Sequence, residues 1–229
     1  MEQIPLLLLL LYALYEGLIH AFEADHILAV TNIVSQRNKI FPALKDGVFW
    51  GLGHTSTIFL IGIIMILFKV GISDQSFSYF EAAVGLMLIL VASYRLYLFL
   101  RDEQIVIHRH RHEHEGANKQ PHIHVHVHGN GENLHKTSYG IGIVHGLAGS
   151  GALVVLVMTQ IETVWSSLLY LLIFGIGSIV GMTLVAGVFS IPFSKKLINS
   201  KVLRASLVLL SSGLCFAYGC FVIYENLFA

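Results

Sequence analysis

Six stretches of this chain are apolar for long enough to cross a lipid bilayer as helices, and this constrains the fold more than any other feature. A helix needs about 20 apolar residues to span roughly 30 Å of hydrocarbon. Of the 229 residues, 55% are hydrophobic and 12% are charged, which is about half the charged fraction of a soluble domain. The sequence therefore predicts an all-α polytopic membrane protein with six transmembrane helices. The predicted spans are 4–34, 44–69, 77–100, 139–160, 164–190 and 202–227.

Charge and cysteine content argue against several other classes of protein. The formal net charge is zero with His neutral, so no nucleic-acid partner is indicated. Cys215 and Cys220 both lie in the last apolar stretch, and no disulfide framework is predicted. Residues 1–3 lack the basic region of a signal peptide, so the first apolar stretch is expected to remain as a helix.

Basic residues predict the orientation in the membrane, because Lys and Arg are enriched in cytoplasmic loops. They concentrate in the first, third and fifth loops between the predicted spans, whereas the second loop has only Lys69 and the fourth, around Glu162, has none. We expect these three loops in the cytoplasm and both termini outside the plasma (inner) membrane. The basic residues concerned are Arg37, Lys39, Lys45, Arg101, Arg109, Arg111, Lys119, Lys136, Lys195, Lys196, Lys201 and Arg204.

The segment from His20 to His26 places two imidazoles and two carboxylates, those of Glu23 and Asp25, inside the first apolar stretch. Ionisable groups at such depth are costly and usually face partners or a water-filled path. At 100° per residue, Glu16, His20 and Glu23 share one stripe of a helix. His26 lies at the edge of that stripe, and Asp25 points nearly the opposite way. Either the helix unwinds here, or Asp25 orients an imidazole by accepting its free N–H.

Two further histidines complete a candidate metal site, one in the second span and one in the fourth. Imidazole and carboxylate together suit nickel, cobalt, zinc, manganese or ferrous iron. The competing interpretation is that these polar residues only bridge neighbouring helices. Four ionisable groups within seven residues are more than bridging needs, so the metal site is favoured. The candidate ligands are Glu16, His20, Glu23, Asp25, His26, His54 and His145.

The two halves of the chain share a pattern at a nearly constant offset of 124 or 125 positions. Each half has three predicted spans, an odd number, so the second half would be inverted in the membrane. Inverted repeats with a site at their interface are typical of transporters. The sequence thus predicts a 3+3 inverted repeat, with 1–100 and 139–229 as its halves. The matched segments are 20–30 with 145–155, 51–54 with 175–178 and, more weakly, 85–86 with 213–214.

The segment between the halves, residues 101–138, contains a His-rich tract interleaved with other residues. Such a polar, biased tract favours a flexible loop, and His-rich tracts bind divalent metals. An engineered tag is the other interpretation, but tags are terminal and uniform. We expect a cytoplasmic loop that captures or buffers metal. Its histidines are His108, His110, His112, His114, His122, His124, His126, His128 and His135.

Two of these motifs resemble those of the nickel/cobalt transporter family. His20-x4-Asp25-His26 resembles the HX4DH signature, and residues 52–57, Leu-Gly-His-Thr-Ser-Thr, are similar to the next motif of that family. The match covers the first two spans best, and the Asp-Thr motifs of eight-helix members are absent. Residues 145–153 instead resemble the six-helix, UreH-type urease-accessory branch. The His-rich loop is similar to that of six-helix nickel/cobalt efflux proteins.

The resemblance implies that Ni²⁺ or Co²⁺ is a transported substrate rather than a catalytic cofactor, with His20, Asp25, His26 and His54 at family motif positions. It leaves the direction open. An inside-negative potential favours entry of a dication by about 4.6 kcal/mol per 100 mV, twice the value for one charge. Uptake is therefore the main expectation, with efflux as the alternative. A cytoplasmic metallochaperone is an expected partner of an importer.

Two rival functions come from other classes. A membrane metalloenzyme could use the same donors, but the sequence has no His-Glu-x-x-His motif, and only four histidines lie outside the loop. A metal sensor or storage module could use the His-rich loop alone, which would leave the intramembrane histidines unexplained. We therefore expect a transporter and not an enzyme.

Overall fold

The computed structural model describes residues 5–68, 73–101, 133–161, 163–194 and 200–229. All regular secondary structure in those ranges is helical, which confirms the predicted all-α class for them. The predicted metal-capturing histidines from His108 to His128 lie outside the described residues. The helices are α1 Leu6–His20, α2 Ala24–Val34, α3 Ile40–Phe68, α4 Asp74–Arg101, α5 Asn133–Gln160, α6 Val164–Ser190 and α7 Lys201–Phe228, with a short 3-10 helix at Ile191–Phe193.

Four of these helices, α3, α4, α6 and α7, are long and apolar enough to cross a membrane. The bent pair of α1 and α2 passes the same test jointly, which gives up to five spans among the described residues. A helix satisfies its own backbone hydrogen bonds, as hydrocarbon requires. Large apolar side chains such as Leu60, Phe68 and Trp165 are exposed, as expected for faces that contact lipid. The 28-residue α5 corresponds to the remaining predicted span, and that sixth span stays a prediction.

The first predicted span is broken at its histidines. α1 ends at His20 and α2 begins at Ala24, with a bend of 55° between them. The N–H groups of Phe22 and Glu23 each donate to a carbonyl three residues earlier, which closes a tight turn. Glu23 then adopts an extended conformation (φ −63°, ψ 152°) before α2 starts. The turn interrupts the helical register, so the side chains that follow are not held to the faces that an unbroken helix would give them.

Glycines let neighbouring helices approach backbone to backbone, and the crossing of α3 with α5 is one example. Gly142 of α5 faces the carbonyl of Trp50 in α3, and Gly53 of α3 faces the carbonyl of Tyr139 in α5. A Cβ atom at either glycine would overlap the facing oxygen, so the two helices can cross this closely only without side chains there. The same kind of contact joins α1 to α6. The glycines of these two crossings are Gly17, Gly53, Gly142, Gly146, Gly177 and Gly181.

The helix packing places the candidate histidines between two apolar clusters. α3 packs against α5 and α6, α1 packs against α6, and α4 packs against α7. One cluster contains Trp50 and Met182, and the other contains Phe174. The Trp50 ring lies 5.6 Å from the ring of His26, and the Phe174 ring lies 5.5 Å from that of His20. Aromatic rings thus lie beside the candidate histidines on both sides.

A buried ion cluster joins α3 to α5 at one end of the bundle. Asp46 is 1% exposed and accepts from Arg37, with Nε 2.5 Å from Oδ2 and Nη2 2.8 Å from Oδ1. Nδ1 of His135 lies 2.6 Å from the same Oδ1. His135 was predicted to belong to the His-rich loop, but it lies in the first turn of α5, because that helix begins at Asn133, earlier than predicted.

Gly142→Ala should lower the thermal stability of the folded protein, because a Cβ would overlap the carbonyl of Trp50, which no side-chain rotation can relieve. Overpacking of this kind costs about 1–3 kcal/mol. Gly140→Ala on the same helix is the matched control, since nothing lies within 4 Å of its Cβ position. Circular dichroism of both variants in detergent measures the effect. Equal Tm values for the two would contradict the close crossing.

Candidate metal centre

Four histidines and one aspartate, contributed by four helices, meet inside the bundle. His26, His54 and His145 are at most 1% exposed. Burying so many ionisable groups is costly unless they bond one another or bind a charged ligand. The five residues are His20 at the end of α1, Asp25 and His26 at the start of α2, His54 midway along α3 and His145 in α5.

The first set of donors consists of His20, His26 and His54, which we call the imidazole group. Each offers one ring nitrogen, and the three nitrogens lie within 4.8 Å of one another. Nε2 of His20 and Nε2 of His54 are 3.1 Å apart. Two nitrogens that each bind one ion at about 2.1 Å would lie at a similar separation. The imidazole group could therefore hold a metal ion with little movement.

The second set consists of Asp25, His26 and His145, which we call the carboxylate group; its donor atoms also lie within 4.8 Å of one another. Oδ1 of Asp25 lies 2.9 Å from Nδ1 of His26, and Oδ2 lies 2.7 Å from Nε2 of His145. An ionised carboxylate can only accept, so we assign the protons to these two ring nitrogens. Asp25 thus orients both rings.

Three buried imidazole nitrogens have no hydrogen-bond partner among the described residues: Nε2 of His26, Nδ1 of His54 and Nδ1 of His145. Because Asp25 accepts from the opposite nitrogens of His26 and His145, these two free nitrogens carry lone pairs. Buried polar atoms are usually bonded. A ring held by a carboxylate at one nitrogen with its other lone pair free is typical of metal-binding histidines.

The other two predicted carboxylates are placed differently. Glu23, whose side chain is 56% exposed, accepts from Nδ1 of His20 at 2.9 Å and orients that ring from the exposed side. Glu16 lies one turn before His20 on α1 and is half-buried. It belongs to neither donor group found among the described residues. The break after α1 therefore keeps Glu23 beside His20 without bringing Glu16 to the centre.

Two residues near the centre were missed by the sequence analysis. Glu81 of α4, which is half-buried, interacts electrostatically with Asp25, Glu23 and both His20 and His145. Tyr218 of α7 lies close enough to Asp25 and Glu81 for a similar interaction. Glu81 is a single carboxylate in a long apolar stretch, and that signal could have identified it. Tyr218 has no comparable signal in the sequence.

Comparison with known proteins shows the family to which the chain belongs. The model of the NicO family, described as high-affinity nickel-transport protein, matches residues 6–211, which include both donor groups. The chain belongs to this family. Urease accessory protein UreH of Bacillus sp. (strain TB-90) is 36% identical over 194 residues, covering 85% of this chain and 81% of the relative. No solved structure matches the chain.

Membership of the high-affinity nickel-transport family, together with the membrane-spanning helices, makes the chain an integral membrane transporter of nickel or cobalt. The family predicted from the motifs is thereby confirmed, as is its relation to urease-accessory proteins of UreH type. Nickel or cobalt is the substrate of such a transporter, so its binding must be reversible on both sides of the membrane.

In this nickel-transport protein, Asp25→Asn should weaken nickel binding about 10–100-fold without unfolding the chain. His26 and His145 donate to different oxygens of Asp25. An amide replaces one of these oxygens by an NH2 group, which cannot accept, so one ring loses its acceptor. Isothermal titration of the purified protein in detergent measures the affinity. Glu16→Gln removes a carboxylate outside both donor groups and should leave the affinity unchanged. An unchanged affinity in Asp25→Asn would contradict the orienting role.

Proposed function

We propose that the chain carries nickel or cobalt into the cell, and that the ion binds inside the membrane through the imidazole and carboxylate groups. The observation that supports this most directly is that both groups converge on the buried ring of His26. Neutral imidazole is a good ligand for these ions, and it is neutral above a pH of about 6.5. The helices hold the rings in place before the ion binds, so binding does not require the loss of conformational entropy that flexible ligands would undergo.

The charges around the centre compensate for placing a divalent cation in a medium of low dielectric constant. Asp25 contributes a carboxylate directly beside the rings. Glu23 and Glu81 add negative charge nearby, and Glu23 does so from an exposed position. A cation approaching from that side meets these carboxylates before the buried imidazoles. We propose that this arrangement attracts dications and lowers the cost of dehydrating them.

We also propose that the fold is a 3+3 inverted repeat, because the same helix contact is made twice with the halves exchanged. Gly17 of α1 faces Phe174 and Ser178 of α6. Gly142 of α5 faces Trp50 and His54 of α3 in the same way. Gly142 lies 125 positions after Gly17, and Phe174 and Ser178 lie 124 positions after Trp50 and His54. Two further contacts are repeated in this way. The contact of Gly53 with Tyr139 corresponds to that of Gly177 with Leu14, and the contact of Gly51 with Ile179 corresponds to that of Gly175 with Thr55.

The third helices of the two halves are α4 and α7. Gly85 of α4 contacts a different glycine of α7 from the one that the sequence pattern matched to it. Gly85 of α4 and Gly219 of α7 face each other's carbonyl oxygens, as expected for positions on either side of a two-fold axis. Nothing lies within 4 Å of a Cβ at Gly213. We therefore propose Gly85 and Gly219, and not Gly85 and Gly213, as the equivalent residues.

Among the metal donors, the proposed repeat pairs only His20 with His145. Ser178 occupies the position equivalent to His54, and Ser150 the position equivalent to Asp25. His145 is the second-half counterpart of His20, and it bonds Asp25 of the first half. The second half thus contributes one donor to a centre built mainly by the first half, which gives one site per chain rather than two symmetric sites.

Basic residues support an orientation in which the end of the bundle carrying the ion cluster faces the cytoplasm. Arg95 donates to Ser35, and Arg204 donates to Asn38, both near the connection between α2 and α3. Arg37 lies in the same connection. Such a gathering of arginines favours the cytoplasmic side of the plasma membrane. On that side, we propose that the His-rich segment collects incoming ions for a metallochaperone.

The membrane potential supports uptake as the direction of transport. An inside-negative potential provides about 4.6 kcal/mol per 100 mV for an entering dication, so uptake needs no nucleotide and no second ion. Efflux through the same centre would need coupling to another gradient. We assign transport rather than catalysis, because family membership and the helical bundle both favour it.

His20→Ala, His26→Ala and His54→Ala should each nearly abolish nickel flux into proteoliposomes with an inside-negative potential, since each removes an imidazole from the centre. Ser56→Ala is the control on the same helix as His54, because its exposed hydroxyl donates to the Leu52 carbonyl of that helix. Radiolabelled nickel uptake measures the rate. Near-normal flux in a folded His variant would remove that residue from the pathway.

The orientation can be tested by cysteine labelling in a background without Cys215 and Cys220. Gly116→Cys should react only with reagents that reach the cytoplasm, and Glu162→Cys only with reagents applied outside. The expected pattern follows from the positive-inside distribution. Labelling of the two sites from the opposite sides would overturn the orientation and the role given to the His-rich segment.

A further inference from the structure

His26 belongs to both donor groups. We assign its Nδ1 to the carboxylate group, because this nitrogen lies 2.9 Å from Oδ1 of Asp25, and its Nε2 to the imidazole group. Nδ1 lies on the Asp25 carboxylate. Nε2 has no partner among the described residues, and the rings of His20 and His54 lie 4.5 and 5.2 Å away by their centroids. In an imidazole ring, the lone-pair directions of Nδ1 and Nε2 point away from each other. One ion therefore cannot use both nitrogens, so the two groups cannot form a single cage.

We propose that the transported ion occupies two successive positions on the two sides of the His26 ring. The first, which we call the imidazole position, is formed by His20, His26 and His54. The second, the carboxylate position, is formed by Asp25, His26 and His145. This inference rests on the proposed transport function and specifies how the ion passes through the centre.

Proton placement on His26 makes the two positions mutually exclusive. A neutral imidazole binds an ion through one nitrogen and keeps its proton on the other. With the ion on Nε2, the proton on Nδ1 bonds Asp25, as it does in the structure. With the ion on Nδ1, the proton is on Nε2, facing the nitrogens of the imidazole group. Nε2 of His145, which bonds Oδ2 of Asp25, must also be free of its proton for the ion to bind there. That proton is then on Nδ1 of His145, which has no partner among the described residues. The step therefore leaves the number of protons on both rings unchanged, and the chain binds one ion at a time.

The two positions differ in charge, which suits a transported ion. The imidazole position has neutral donors, whereas the carboxylate position includes the negative charge of Asp25. A transport site must bind an ion well enough to admit it and weakly enough to release it. Because His26 is common to both positions, one ring remains at the ion while the other donors are exchanged. The ion is thus never fully released between them.

The experiment compares His54→Ala, which alters only the imidazole position, with His145→Ala, which alters only the carboxylate position. Both side chains are fully buried, so the two variants are matched in what they remove. His26→Ala and the double variant His54→Ala/His145→Ala complete the set. Nickel binding to the purified full-length protein is measured by titration, and the ligands are identified by nickel X-ray absorption. Flux is measured separately in proteoliposomes.

We expect each single variant to bind one nickel ion per chain with reduced affinity and to lose flux. The ligands should be imidazole-rich in His145→Ala and should include a carboxylate oxygen in His54→Ala. His26→Ala alone should lose saturable binding, as the double variant should. The proposal is overturned if His54→Ala by itself abolishes binding, or if His145→Ala binds and transports like the wild type, because either result leaves a single position.

Misfolding and failure of the transport function can both be distinguished from failure of this proposal. His54→Gln and His145→Gln keep most of the side-chain volume. They should change nickel affinity, ligands and flux in the same way as the corresponding Ala variants. Elution as a single species and cooperative unfolding show that each variant is folded. A wild-type chain that binds nickel but shows no flux would refute the transport function. The binding and absorption measurements would still decide whether there are two positions.

Discussion

The carboxylate of Asp25 is the contact on which the centre depends. It accepts from His26 on its own helix and from His145 on α5, and so it joins the two halves of the chain at a buried point. Without it, two buried N–H groups would have no acceptor in a medium where an unpaired polar group is costly. The turn between α1 and α2 breaks the helical register just before Asp25, so its side chain is not held to the face that an unbroken helix would give it.

Close helix crossing is the second requirement, since imidazole side chains are short. Gly142 and Gly146 of α5 lie against the backbone around His54 in α3. This contact brings α3 and α5 close enough for His54 and His145 to reach the same ring, that of His26, at centroid distances of 5.2 and 4.1 Å. The apolar walls of Trp50 and Phe174 then enclose the donors. A polar site is thus held by packing that is almost entirely apolar.

Much of the candidate centre could be predicted from the sequence, because an ionisable residue in an apolar stretch stands out by composition alone. His20, Asp25, His26, His54 and His145 were all identified in this way. The same signal was present at Glu81 and was not used. Helical periodicity grouped Glu16 with His20, but periodicity applies only to an unbroken helix, and the chain turns between His20 and Ala24. His135 was assigned to the loop because the start of α5 is polar and carries no span signal.

The sequence by itself determined that the chain enters a membrane as helices, which family it resembles and which residues are available to bind a metal. These follow from composition, length and local motifs, all of which are properties of contiguous residues. Only the tertiary structure decided how the donors are divided, with His26 common to two groups and Asp25 bonded to a ring 120 residues away. That division depends on the angle of a turn and on the closeness of two helix crossings. Neither is encoded in any single segment, because each results from how distant backbones pack together.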